Sequence, residues 1–192
     1  KDEAEMRDML LTAIEHPAPA AIRYPRGSGI GVDISQKPKM MEIGKSEIVR
    51  DGGDIAIIAY GAMVYPSIEA AENLAKSGIN ATVVNARWVK PIDAEMILEL
   101  AKSKRLIVTV EEAYLAGGFG SAVMECLEAN GVLETVKLVR MGVTDQIVTH
   151  GDPKLLLAQF GLDADGIYNK VKETIEILDE SRLGKKRLKI VS

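Results

Sequence analysis

The chain has 192 residues, 47% hydrophobic and 27% charged, enough apolar material for a core in one domain, or one domain plus part of another, and too much for a disordered or collagen-like chain. Lys plus Arg number 24 against 28 Asp plus Glu; the formal charge of −4 lacks the basic excess of a phosphate-backbone binder, so nucleic acid is not an expected partner. A single Cys126 excludes an internal disulfide framework and a multi-cysteine metal site, and no stretch approaches the roughly 20 apolar residues of a membrane span, which together fit a soluble protein of a reducing compartment.

The chain opens at Lys1, without an initiator Met and already within a helical pattern, so a fragment of a longer protein is expected. Met6, Met9, Leu10 and Ala13 recur at helical spacing with acids and Arg7 between them, which predicts an amphipathic helix from about Asp2 to Glu15, ended by His16-Pro17. Ala20 to Tyr24 reads as a short strand closed by Pro25, and Gly27 to Lys39, punctuated by Gly and Pro, as a linker. Ile43 to Arg50 is a predicted strand, Asp51 to Asp54 a turn, and Ile55 to Tyr60 a continuous apolar strand of the kind buried on both faces.

Ile68, Ala71, Leu74 and Ala75 mark a helix that Gly78 ends, and Ala81 to Asn85 is the next strand. Asp93 is a plausible N-cap for a helix carrying Met96, Ile97, Leu100 and Ala101, and Leu106 to Val110 is another apolar strand. Gly117 to Gly120 leads into a helix with Phe119, Val123, Cys126 and Leu127 on one face, followed by a strand from Val136 to Val139. Ile167, Val171, Ile175 and Leu178 define a last long helix, and the basic stretch Arg182 to Lys189 reads as a helix-poor, solvated tail. This alternation implies βαβ units, hence a mostly parallel sheet between layers of helices, with one antiparallel edge suggested by the first strand-turn-strand unit.

Several residues are candidates for chemistry. Gly117 to Gly120 opens a helix and could hold an anion on its N–H groups, but lacks the G-x-G-x-x-G order of a dinucleotide site; tight turning and close packing explain it more simply. Glu111 and Glu112 lie at a strand's C-terminal end, where capping the following turn or meeting a partner subunit is favoured over an acid/base pair. His16 and His150 are the only histidines and neither sits in a metal-ligand pattern, while Cys126 reads as a small buried hydrophobe. Arg23 and Arg26 suit a ligand or, preferably, a subunit boundary. Arg87 follows the strand Ala81 to Asn85, on the edge where an open α/β sheet grips a ligand phosphate or carboxylate, and from position alone a salt bridge is an equal alternative.

Ala21 to Gly27 (AIRYPRG), Val84 to Asp93 (VNARWVKPID), Val110 to Glu112 with Gly117 to Gly120, Gly142 to Gly151 (GVTDQIVTHG) and Gly161 to Gly166 (GLDADG), taken in this order, resemble the 1-deoxy-D-xylulose-5-phosphate synthase family of the transketolase superfamily, in its C-terminal region. The resemblance implies an α/β three-layer sandwich with a mostly parallel five-stranded sheet, preceded by the end of a second α/β domain. Residues 1–30 would end a pyrimidine-binding domain, 31–40 would be a linker and 41–192 the transketolase C-terminal domain.

As an activity, the resemblance implies a cytoplasmic homodimeric transferase, dependent on thiamine diphosphate and magnesium, that condenses pyruvate with glyceraldehyde 3-phosphate to 1-deoxy-D-xylulose 5-phosphate and carbon dioxide, a step toward isoprenoids and thiamine. The cofactor carries the hard chemistry in such enzymes. Arg87 matches the family arginine that reaches the acceptor's phosphate. The residues that bind cofactor and metal, and the active-site histidines, have no counterpart in this chain, and no catalytic, cofactor-binding or metal-binding residue is assigned to it. Alternatives are a transketolase, the beta subunit of a 2-oxoacid dehydrogenase, or a non-catalytic α/β interaction module.

Overall fold

Ile55 to Ala59 and Ala81 to Asn85 carry no polar face for solvent, so they demand neighbours on both edges and cover on both sides. The computed structural model, which describes residues 1–25 and 27–190 with side chains through Ser181, gives them both. Strands β1 (Glu47–Arg50), β2 (Ile55–Ala59), β3 (Ala81–Asn85), β4 (Leu106–Tyr114) and β5 (Lys137–Val143) form one five-stranded sheet in the order β1-β3-β2-β4-β5. Every residue of β2 and β3 is buried, and the pairings β2 to β3, β2 to β4 and β4 to β5 are parallel.

The helices are α1 (Glu3–Glu15), α2 (Val64–Lys76), α3 (Ala94–Ser103), α4 (Phe119–Ala129), α5 (Pro153–Gln159) and α6 (Ala164–Ile190). Side chains alternate across the sheet. Ile55, Ile57 and Ala59 meet Leu74 of α2 and Ile167 and Val171 of α6 on one side, while Ala56 and Ile58 meet Ile97 and Leu100 of α3 and Val123 and Leu127 of α4 on the other. The result is the expected three-layer sandwich. Cys126, half-buried, packs against the second of these clusters.

Four expectations need correction. The antiparallel edge exists, but β1 pairs with β3 and not with the adjoining β2, so Asp51 to Asp54 is a crossing and not a hairpin turn. Gly52 passes so close over Ala81 that a Cβ there would stand 2.3 Å from its carbonyl carbon. Ala20 to Tyr24 forms no strand, because among the described residues no neighbouring strand takes up its backbone groups. The basic tail is not helix-poor: α6 runs on to Ile190 through Leu, Lys and Arg, strong helix formers that extend a helix already nucleated by packing. Its side chains beyond Ser181, and with them the expected solvation of the tail, lie outside the described residues.

The fourth correction concerns α1. The helix forms where expected, capped by Asp2, whose carboxylate accepts from the Glu5 N–H at 2.8 Å. Its buried residues, however, are Glu5 and Thr12, while Leu10 and Ile14 are exposed. The helix seats itself on the sheet edge through polar contacts, a docking that hydrophobic periodicity does not encode. Helix α5 was not foreseen, since its seven residues are too few for a helical period to register.

Candidate ligand cleft at the strand ends

Parallel strands end on a common rim, and the residues just past β2 and β3 line a cleft of about 510 Å³ together with α1 and the segment Pro19 to Arg23. Tyr60 and Gly61 follow β2, and Ala86, Arg87 and Trp88 follow β3. The Tyr60 ring stacks on Phe119 at 5.4 Å between centroids, which fixes one wall. Burial pushes the Tyr60 hydroxyl's pKa up, partly offset by the Arg23 guanidinium.

Arg87 stands on this rim in a left-handed backbone conformation, φ 57°, and is the one non-glycine with positive φ among the described residues. It is the middle residue of a three-residue turn closed by the Trp88 N–H donating to the Ala86 carbonyl. An L side chain in this region costs roughly 1–2 kcal/mol. The guanidinium has strong local partners that can offset this cost. Its Nε donates to Glu5 Oε1 at 2.9 Å and its Nη2 lies 2.7 Å from Glu47 Oε2. The salt bridge left open as an alternative is therefore present, and so is the position on the cleft: both hold at once.

Glu5 is the centre of this cluster, with its side chain 3% exposed. Besides Arg87, its Oε1 accepts from Asn85 Nδ2 at 2.6 Å and from Lys1 Nζ at 3.1 Å. Burial by itself would raise the Glu5 pKa; the cations around it, the Lys1 side chain and Arg87 among them, outweigh it and hold the carboxyl well below the usual carboxylate range. Neither Glu5 nor Glu47 was singled out from sequence. The one available hint was Asn85, a polar residue closing a strand otherwise made for burial on both faces.

The glycine turn also resolves. The anion at the start of α4 is the chain's own Glu111, 1% exposed, whose Oε2 accepts from the Phe119 N–H and Oε1 from the Gly120 N–H, each at 2.7 Å. Gly118 has to be glycine, since a Cβ there would meet the Tyr114 carbonyl oxygen as well as Glu111 Oε2. Glu111 thus caps the following turn, the reading favoured over acid/base work. Burial raises the pKa of neighbouring Glu112, with Arg23 opposing. His16 closes α1 and borders the cleft, His150 lies in the exposed loop after β5, and burial raises the Cys126 thiol. Arg23 borders the cleft, and Arg26 lies outside the described residues.

These residues do not by themselves fit thiamine diphosphate with a metal ion. The glycine turn that opens α4 has its N–H groups filled by Glu111, and among the described residues no group of three or more His, Cys, Asp or Glu side chains could hold a metal.

A sheet of this order, covered by helices on both faces and open at the strand ends, defines a three-layer α/β domain with a ligand-sized cleft at its rim. Residues 44–167 match the family model described as "Transketolase, C-terminal domain", and the chain belongs to that family. Curated relatives sharpen the likeness. The chain is 51% identical over 172 residues to 1-deoxy-D-xylulose-5-phosphate synthase 1 of Geobacter metallireducens, covering 90% of this chain and 27% of the relative. It is 48% identical over 184 residues to the synthase of Synechococcus sp. (strain JA-3-3Ab), covering 95% and 28%. The chain therefore spans just over a quarter of the length of these relatives. Among solved structures, a split-gene transketolase described as an inactive beta4 tetramer superposes with a TM-score of 0.76 at 32% identity, covering 90% of this chain and 55% of that one.

Proposed function

We propose that the chain is the C-terminal part of a 1-deoxy-D-xylulose-5-phosphate synthase, a transferase that joins the two-carbon unit of pyruvate to glyceraldehyde 3-phosphate with loss of carbon dioxide, and that Arg87 grips the acceptor's phosphate. The observation that carries this reading is a rim arginine that borders the cleft, in a chain 51% and 48% identical to synthases over nearly its whole length. Thiamine diphosphate and magnesium would be held by other parts of that enzyme, since the residues here do not fit them, and no step of the reaction is routed through this chain's side chains beyond the phosphate contact.

The same proposal includes a homodimer in the cytoplasm. Self-association is supported by the solved relative described as a tetramer, and no helix of the described residues is long and apolar enough to cross a membrane. The boundaries 1–30, 31–40 and 41–192 belong to it as well: α1 and the irregular stretch after it precede the family match, which begins at residue 44.

Arg87→Ala in the intact enzyme is expected to raise the KM for glyceraldehyde 3-phosphate roughly 10- to 100-fold, the equivalent of a charged hydrogen bond of about 1.5–3 kcal/mol, with the KM for pyruvate little changed. Unchanged aldehyde KM and kcat would remove Arg87 from the site. Turnover with a ketose phosphate donor, and none with pyruvate, would replace the synthase by a transketolase.

A further inference from the structure

An arginine meets an oxyanion best along an edge of its planar fork, and which edge is available depends on what the other edge touches. In Arg87 the edge formed by Nε and Nη2 is taken, Nε by Glu5 and Nη2 by Glu47. The opposite end, both Nη1 hydrogens and the second Nη2 hydrogen, has no partner among the described residues. That end is a bidentate donor pair held at a fixed angle. The two carboxylates come from different elements: Glu5 from α1, and Glu47 from β1, where it stands opposite Asn85 of β3. Asn85 and the Lys1 side chain tie both acids together, with Lys1 Nζ 3.1 Å from Glu5 Oε1 and 3.1 Å from Glu47 Oε2. The contacts from Arg87, Asn85 and the Lys1 side chain do not depend on Lys1 being first in the chain.

A side chain as long as arginine gives up most of its rotamer freedom when fixed. If that ordering is complete before the ligand arrives, the ligand's binding is not weakened by it. A strained backbone at a residue that touches a ligand is the kind of feature such pre-ordering supports.

We infer that Glu5, with Glu47 beside it, is a positioning residue: it holds the Arg87 guanidinium by its Nε edge so that the terminal N–H pair meets the acceptor's phosphate. This rests on the phosphate role proposed for Arg87. An opposing effect must be weighed. The two carboxylates also repel a phosphate dianion, and if repulsion dominated, removing their charge would tighten acceptor binding. Ordering is expected to win, because Glu5 is paired with Arg87 and the Lys1 side chain, and Glu47 is half-exposed and screened by water.

The test uses the intact enzyme and two acceptors, glyceraldehyde 3-phosphate and unphosphorylated D-glyceraldehyde. Glu5→Ala is expected to raise the KM for the phosphorylated acceptor about tenfold, less than Arg87→Ala, with kcat/KM for D-glyceraldehyde and the KM for pyruvate within twofold of wild type. Glu5→Gln, which keeps a neutral acceptor for Nε, should recover part of the loss. Glu5→Ala in the Arg87→Ala background should add nothing, since the first change acts through the second residue. Should Glu5→Ala fail to fold, Glu5→Gln and Glu47→Ala decide: each is expected to raise the phosphorylated-acceptor KM two- to fourfold. A KM at or below wild type in these variants while Arg87→Ala raises it overturns the positioning role, as does an equal change for both acceptors, or additivity in the double variant. If Arg87→Ala itself leaves that KM unmoved, the phosphate reading has failed and the inference falls with it.

Discussion

Glu111 offers a quantitative test of how the sheet rim is built. Its carboxylate is buried and accepts two N–H groups of the first turn of α4, each at 2.7 Å. Replacing it by Gln keeps the shape but presents one amide oxygen and one amide nitrogen to two donors. One hydrogen bond survives without its charge, and the other N–H is left facing a donor in a buried site. A bond to a charged acceptor contributes about 1.5–3 kcal/mol, and a buried orphan donor costs a similar amount, so Glu111→Gln should destabilise by about 3 kcal/mol. For a chain of this size that is a fall in Tm of roughly 6–12 °C. Urea denaturation of the 192-residue chain, read at unchanged m, measures it. A loss below about 1 kcal/mol would refute the claim that this carboxylate is the helix's fixed anion, and would reopen the glycine turn as a site for an external one.

Asp93 caps α3 by accepting the Met96 N–H at 3.2 Å and with its other oxygen accepts the Ser46 N–H at 2.7 Å, so Asp93→Ala should cost about 2–3 kcal/mol by the same assay while Asp93→Asn recovers part of it. A cost within 0.5 kcal/mol of zero, the range of ordinary surface substitutions, would deny the cap its role. Acid should also weaken this chain in a defined window. Because the Lys1 side chain and Arg87 help hold the Glu5 carboxyl below its ordinary 4.5, its ion pairs contribute stability that is complete above pH 4.5 and is lost as pH falls below it. Thermal unfolding between pH 5 and 2.5 should therefore decline more steeply for wild type than for Glu5→Gln; parallel slopes would mean that Glu5 does not carry the effect.

Ile55 to Ala59 and Ala81 to Asn85 could only be interior strands, because a run with no polar alternation has nowhere to face but protein, and the helices between them could only be crossovers. The amino acids thus determined the layered α/β fold, the cap at Asp93 and the position of Arg87 just past a strand's C-terminal end. Tertiary structure decided the rest. Pairing of β1 with β3, burial of Glu5 while Leu10 and Ile14 face outward, and the filling of the glycine turn by Glu111 all depend on groups 8 to 82 residues apart. Periodicity reports which face of an element is apolar; it carries no information about which distant donor a carboxylate will meet. Charge pairing is short-ranged in space and unrestricted in sequence, so the partners that aim Arg87 became visible only once the chain had folded around them.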